Sequence, residues 1–245
     1  MNALGQRQRS DEWMDAPGVD PEALAKSLRF IRKVNWMLGY TRATLSHMDR
    51  FARDWKKGET ISILDLATGS ADIPIAILKW ADARGHDVRI VGVDLHAETV
   101  VHAQAASTDA RLQIVRGDVL NLPFAPASFD YVITQMFLHH MDDDQVVRIL
   151  STMHALARRG ILAADLLRSR RALFWISMFT MMSHPMVRHD ARVSVRQAFT
   201  IPEMRDLASQ AGLPDASIIR HFGHRFVLTH EKRPTSLKAF EPNDR

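Results

Sequence analysis

The chain has 245 residues, of which 46% are hydrophobic and 24% charged, and it carries a formal net charge of +4. A chain of this length buries roughly 70–75% of its unfolded surface, as one large domain or one domain with a cap, and this composition excludes a disordered or collagen-like chain. It has no cysteine, which excludes disulfides, thiolate zinc sites, iron–sulfur clusters and cysteine nucleophiles.

The 32 Lys and Arg are scattered, apart from Lys56-Lys57 and Arg168-Ser169-Arg170-Arg171. Nucleic-acid binders gather their charge on one face or in a run, so the balance reads as a mildly basic enzyme that binds no nucleic acid. Residues 1–18 are polar and lack the apolar region of a signal peptide. The longest apolar stretch, residues 172–182, is 11 residues long, where a bilayer span takes about 20. A cytoplasmic protein is expected.

Asp20-Pro21-Glu22 reads as a helix start, with Asp20 as N-cap and Pro21 in the first turn, and Gly39 stops that helix after Leu38. A second helix is expected over Arg42–Trp55, so residues 1–58 form a helical N-terminal cap and residues 59–245 the main domain. Short apolar runs then alternate with helical patterns. Strands are expected over 61–66, 88–93, 112–115, 129–134 and 161–166, with helices over 71–83 and 97–107. A further helix starts at Asp142, where Gln145 completes a capping box. This alternation predicts an α/β fold with a parallel sheet covered on both faces.

Residues 168–199 interrupt the alternation as an insertion made of an apolar, Met-rich helix and a His/Arg-rich loop. Thr200 and Glu203 form a second capping box, and the helix they open ends near Gly212. Strands over 217–221 and 225–229, joined by Phe222-Gly223-His224, predict a terminal antiparallel hairpin. The tail from Lys232 reads as loose.

The first strand ends in Leu64-Asp-Leu-Ala-Thr-Gly-Ser-Ala-Asp72, a small-residue loop leading into a helix N-terminus, where a ligand can lie against backbone. The second strand ends in Asp94, 25 residues after Gly69, where a carboxylate can accept both ribose hydroxyls. After the third strand come Asp118, placed to accept from an adenine amino group, and Val119. Singly these acids also read as a loop cap, a helix cap and a turn residue. Three of them at the carboxyl ends of successive strands mark the edge where open parallel sheets bind ligands. The spacing Gly-x-Gly-x-x-Gly that admits a dinucleotide pyrophosphate is absent. The acids Asp65 and Asp72 suit a cationic amino-acid portion better than a diphosphate.

The segments Ile63-Leu-Asp-Leu-Ala-Thr-Gly-Ser-Ala-Asp72, Val91-Gly-Val-Asp94, Gly117-Asp-Val-Leu-Asn-Leu-Pro-Phe124 and Ser128-Phe-Asp130 resemble class I S-adenosylmethionine-dependent methyltransferases over about residues 60–231. Within that class the chain is similar to quinone-biosynthesis enzymes. Val34–Gly39, Asp165–Ser169, Arg188–Asp190 and Ser194–Thr200 look like bacterial enzymes of polyketide and aromatic-lipid pathways. The resemblance implies a Rossmann-like sheet of seven strands with the last hairpin antiparallel, and S-adenosylmethionine as cofactor. The cofactor set it implies is Asp65, Ala67, Thr68, Gly69, Asp72, Asp94, Leu95, Asp118, Val119 and Gln135. Ala67 and Ala71 stand where the family commonly has glycine, which puts the loop shape in question.

In this fold the loop after the fourth strand faces the transferred methyl. Here it reads Gln135-Met-Phe-Leu-His-His140 and lacks the Asn/Asp-Pro-Pro-aromatic pattern of amine methylation. His140, then His139, are the candidate general bases, since a free His has a pKa near 6.5. His189 and Asp165 are further candidates, and metal ligation is not expected. The stripe Leu173–Met182 has three readings: core, a lid on an acceptor pocket, or a peripheral membrane or dimer contact. The implied reaction is methyl transfer to a small aromatic acceptor by a monomer or homodimer. Phenolic O-methylation with a His base is the first expectation and C-methylation of a quinol ring the alternative. An RNA-binding or RNA-modifying protein is the reading from a different class.

Overall fold

The computed structural model describes residues 5–10, 12, 13, 37 and 39–232. The helix expected over Asp20–Leu38 lies almost wholly outside them, as does the tail beyond Lys232.

Seven strands form one sheet in the order β3-β2-β1-β4-β5-β7-β6. They are β1 (Thr60–Leu66), β2 (Asp87–Asp94), β3 (Leu112–Arg116), β4 (Phe129–Gln135), β5 (Ala157–Leu166), β6 (Ser217–His221) and β7 (Arg225–Glu231). The first five pair in parallel, and β7 inserts antiparallel between β5 and β6. The helices are α1 (Tyr40–Phe51), α2 (Asp72–Arg84), α3 (Ala97–Ala106), α4 (Asp143–Leu156), α5 (Arg170–Phe179), α6 (Pro185–Gln197) and α7 (Ile201–Gln210).

Successive strand residues face opposite sides, so each central strand feeds two cores. Ile61, Ile63 and Ile133 pack with Tyr40, Met48, Phe51 and Ile77 from α1 and α2. Leu64, Leu66 and Val132 pack with Ile149, Met153, Met204 and Phe226 on the other face. All of these are nearly or fully buried. On the same period, β5 sends Ile161 and Ala163 to the α4/α7 side, and Leu162 and Ala164 to the α1 side.

Both predicted capping boxes are present, Asp142 with Gln145 and Thr200 with Glu203. Strand β5 begins four residues before the expected Ile161. Residues Ala157-Arg-Arg-Gly160 carry no strand pattern of their own and are recruited by pairing with β4 and with Glu231 of β7. A side chain at Gly160 would sit 2.9 Å from the His230 carbonyl oxygen, so this position needs glycine. Helix α4 ends at Leu156 and β5 begins at the next residue, with no loop between them.

The insertion departs from expectation in two respects. Its His/Arg-rich half is not a loop but helix α6, with Pro185 in the first turn and the His184 ring accepting from the Met186 N–H. Asp190 and Gln197 occupy its buried face beside Val187 and Val193, which breaks the apolar period that marks a helix in sequence. The Met-rich half is helix α5, and its stripe is not core: Phe174, Trp175, Met178, Phe179, Met181 and Met182 are exposed. Arg168 does not join a solvated basic run. It is buried and bonded through both terminal nitrogens to Glu203.

Candidate active site

The donor side is built by the turn from β1 into α2. Ala67, Gly69 and Ala71 all have positive φ, at 55°, 57° and 58°. The turn closes by Thr68 N–H to the Val93 carbonyl (3.0 Å) and Ala71 N–H to the Thr68 carbonyl (3.0 Å). Left-handed backbone costs an L-residue roughly 1–2 kcal/mol, so the two alanines hold the family's glycine conformation under strain. Gly92 of β2 supports the turn from below. A Cβ there would lie 2.8 Å from the Thr68 hydroxyl oxygen.

Asp65 is buried and accepts from the Thr68 hydroxyl at 2.7 Å. Burial, with Asp72 and Asp94 nearby, pushes its carboxyl up to about 7 against the pull of Thr68. Asp72 opens α2 and accepts from the Ser70 hydroxyl. Asp94 is buried at the end of β2 and accepts Gly69 N–H at 2.9 Å on one oxygen and His96 N–H at 3.1 Å on the other. It therefore orders the β1 turn and caps the approach to α3, so the capping and ligand readings coexist. Asp118 accepts from Leu120 N–H and the Asn121 amide, beside the buried Val119. Leu95 is exposed. Gln135 closes β4 and accepts from the Thr44 hydroxyl of α1 at 2.9 Å. Its amide nitrogen is buried and has no hydrogen-bond partner. All the expected cofactor residues thus line one edge of the sheet, at the carboxyl ends of β1, β2, β3 and β4 and the turns that follow.

On the acceptor side, β4 ends in Met136 at φ 52° and a single 3-10 turn, Leu138–His140. His139 is buried and its Nδ1 lies 2.7 Å from Asp165 Oδ1 at the end of β5. The same carboxylate accepts His139 backbone N–H at 3.0 Å, so it fixes both turn and ring. Burial opposes a charge on His139, but the contact with Asp165 outweighs it and raises the pKa, while Asp165 stays below the usual carboxylate range. The His140 ring lies against that of His139, tilted by 33° with the centroids 4.2 Å apart. Burial and the His139 charge push it down to about 3, leaving a weakly basic ring. His189 belongs to a different group: its Nδ1 meets Asp190 at 3.0 Å and its ring stacks on Trp13.

An N-terminal arm covers this side, and nothing periodic in its sequence marks it. Arg7 bonds the carbonyls of Gln197, His139 and Met141, pairs with Asp143 and stacks on Phe199. Glu12 is buried between Ser194, whose hydroxyl it accepts at 2.5 Å, and His139 Nε2 at 3.9 Å. Glu12, His139 and His140 present ligand-type atoms within 4.8 Å of one another, a grouping that sequence reading did not foresee. Also missed was Arg225. It opens β7, is buried and stacks on the Tyr40 ring at 3.1 Å, and burial brings it down to about 10.

Residues 63–160 match the family model described as a methyltransferase domain. The fold is that of a SAM-dependent methyltransferase from Aquifex aeolicus, with a TM-score of 0.59 at 13% identity, over 86% of this chain and 98% of that one. The chain thus has the class I methyltransferase fold, with a methyltransferase-domain match at its centre. Among curated relatives, this chain is 31% identical over 86 residues to the ubiquinone/menaquinone biosynthesis C-methyltransferase of Rickettsia typhi, covering 34% of this chain and 35% of that protein. It is 32% identical over 98 residues to the demethylmenaquinone methyltransferase of Staphylococcus epidermidis, covering 40% and 39% respectively. The alignments span little more than a third of the length of these relatives.

The residues present fit the family's cofactor. Asp65, Asp72 and Asp94 form a nest of acids whose mutual repulsion a cationic ligand relieves. The Gln135 amide nitrogen is an unsatisfied buried donor beside them in the sheet edge. Space above Gly69 is open, since an added Cβ would meet nothing within 4 Å.

Proposed function

We propose that this methyltransferase acts on the ring carbon of a small quinol-type aromatic, with His139 as general base oriented by Asp165. The observation that carries the reading is the buried His139–Asp165 pair where β4 and β5 end, beside the donor edge. Asp94 and Asp118 would hold the ribose hydroxyls and adenine amine, while Asp65 and Asp72 flank the cationic amino-acid portion. When bound, S-adenosylmethionine supplies an electrophilic methyl on a sulfonium centre.

The chain's own contribution is proton management and alignment. Asp165 accepts the Nδ1 proton and so leaves Nε2 as the basic nitrogen of His139. Nε2 takes the proton of a quinol hydroxyl. The resulting oxyanion would raise electron density on the adjacent ring carbon, which would take the methyl as the methyl–sulfur bond breaks and the neutral thioether leaves. The ring proton would pass to solvent and His139 Nε2 would return its proton to the ring oxygen, which restores the aromatic quinol. Glu12 now stands 3.9 Å from that Nε2, so the acceptor hydroxyl takes the place of the arm carboxylate. His140, held near 3, is less suited to the task than the sequence alone suggests.

The same base would serve phenolic O-methylation. The names of the curated relatives favour carbon, because one is called a C-methyltransferase and the other acts on demethylmenaquinone. Incubation with isotopically labelled donor and a panel of demethylated quinols and phenols tests the reading. The expected product carries label on a ring carbon by NMR. A methyl ether as sole product would overturn it in favour of oxygen.

A further inference from the structure

Helix α5 wears its amphipathicity inside out. Ala172, Leu173, Ile176, Ser177 and Thr180 lie on its buried or half-buried side. The outward face, following the helical repeat, carries Arg171, Phe174, Trp175, Met178 and Met182, with Phe179 at its margin. Trp175 is 51% exposed and Met182, in the turn that follows, 92%. A contiguous apolar face of this kind marks a surface that meets something other than water.

The charge around it says what that is. From residue 168 to residue 189 the chain has four arginines and no acidic residue. Arg168 is taken up by Glu203, but Arg170 and Arg171 are exposed at the start of the apolar face and Arg188 is half-buried on the neighbouring α6. A second copy of this chain would bring the same positive charge to the contact, whereas an anionic bilayer complements it. Tryptophan favours the membrane interface, and basic amphipathic helices lie in its plane. Among the described residues no helix is long and apolar enough to cross a membrane, and α5 has only ten residues.

We propose that α5 and the turn through Met182 dock this methyltransferase flat on an anionic membrane surface. The helix begins four residues after β5 ends, so docking turns the acceptor side of the sheet edge toward the bilayer, where a lipophilic aromatic partitions. The proposal goes beyond the reaction proposed above, and binding tests it whether or not methyl transfer to a quinol is found.

The experiment is co-sedimentation of the full chain with vesicles of phosphatidylcholine, with and without phosphatidylglycerol. The expected result is binding that needs the anionic lipid and weakens as salt rises. Trp175→Ser with Met178→Ser should lower partitioning by about tenfold or more while melting temperature and donor affinity stay unchanged. Arg170→Glu with Arg171→Glu should abolish the preference for anionic lipid, and this second variant keeps the test decisive if the first fails to fold. Absence of wild-type binding, or equal binding to neutral vesicles, overturns the proposal. So does a dimer in sedimentation velocity that Trp175→Ser dissociates, which would assign the face to a second copy.

Discussion

The two halves of the sheet edge are built differently. On the donor half each functional group sits within a few residues of its strand end, and most have a partner close in sequence: Asp65 with Thr68, Asp94 with His96, Asp118 with Leu120 and Asn121, while Asp94 also holds Gly69 and Gln135 reaches Thr44. On the acceptor half the partners come from far away. His139 meets Asp165 from another strand and Glu12 from the opposite end of the chain, and Arg225 lies on Tyr40. The donor half is a set of local turns hung on a rigid sheet. The acceptor half is a tertiary assembly of arm, insertion and turn, and so it can change without disturbing the cofactor.

The sharpest way to break this comparison is at the dyad. His139→Gln should lower turnover by roughly 10²–10⁴-fold while donor affinity is preserved, because the base acts on the acceptor alone. Asp165→Asn should do nearly as much and should also shift the pH–rate profile. Equal loss of donor affinity in calorimetry would show that the halves are not separable.

Asp94→Ala is the counterpart on the donor half. It removes a charged acceptor and costs about 1.5–3 kcal/mol in donor binding. Because Asp94 also holds Gly69 and His96 N–H, Asp94→Asn should recover part of that loss. Unchanged affinity in a folded Asp94→Ala variant would remove the residue from the cofactor site.

Protons give opposite signatures at Asp65 and at the contact between α1 and the terminal hairpin. Asp65 is raised to about 7, above the ordinary range near 4 of an unfolded aspartate. Its contribution to stability is full below that range and is lost as pH rises through about 7. Donor binding near neutral pH should therefore release a proton from Asp65, read by calorimetry in buffers of different ionisation enthalpy. His47 of α1, buried and 3.0 Å from His221 of β6, is lowered to about 4 by burial and its cationic neighbours. Its contribution is full above about 6.5, the unfolded value, and falls as pH drops from there to about 4. The melting temperature of His47→Gln should flatten over that window. A wild-type curve with no slope there would refute the latch between α1 and the hairpin.

The smallest expected effect is at the strained turn. Ala67→Gly and Ala71→Gly each relieve a positive φ worth roughly 1–2 kcal/mol, offset by the extra freedom glycine gives the unfolded chain, about 0.4–1 kcal/mol. Each should raise the melting temperature slightly and leave donor binding equal or better. A loss would give the alanine methyl a packing role.

What the sequence disclosed follows the same division. Strand ends, the two capping boxes and the acid at each donor strand end are short-range signals, and the structure places them as read. The order β5-β7-β6 was legible only as a hairpin of the right kind. Helix α6 was hidden because Asp190 and Gln197 turn inward, where polarity stands in for the apolar period. His139 and Asp165 were separate candidates, because they stand 26 positions apart and nothing between them marks that they meet. The arm residues Arg7 and Glu12 left no trace at all, since their partners lie 127 or more positions away.

The seamless passage from α4 into β5 gives the acceptor half a parity. Asp165 faces the α4/α7 side with Ile161 and Ala163, while Arg225 and Gln135 share the α1 side with Leu162 and Ala164. With no loop at Leu156–Ala157 to absorb a change of length, one residue added there would slide β5 by one step and turn every side chain over. A carboxylate at that strand end would then point toward Arg225 and leave His139 without its partner. Natural variants of this chain should gain or lose residues at the Leu156–Ala157 junction only in pairs.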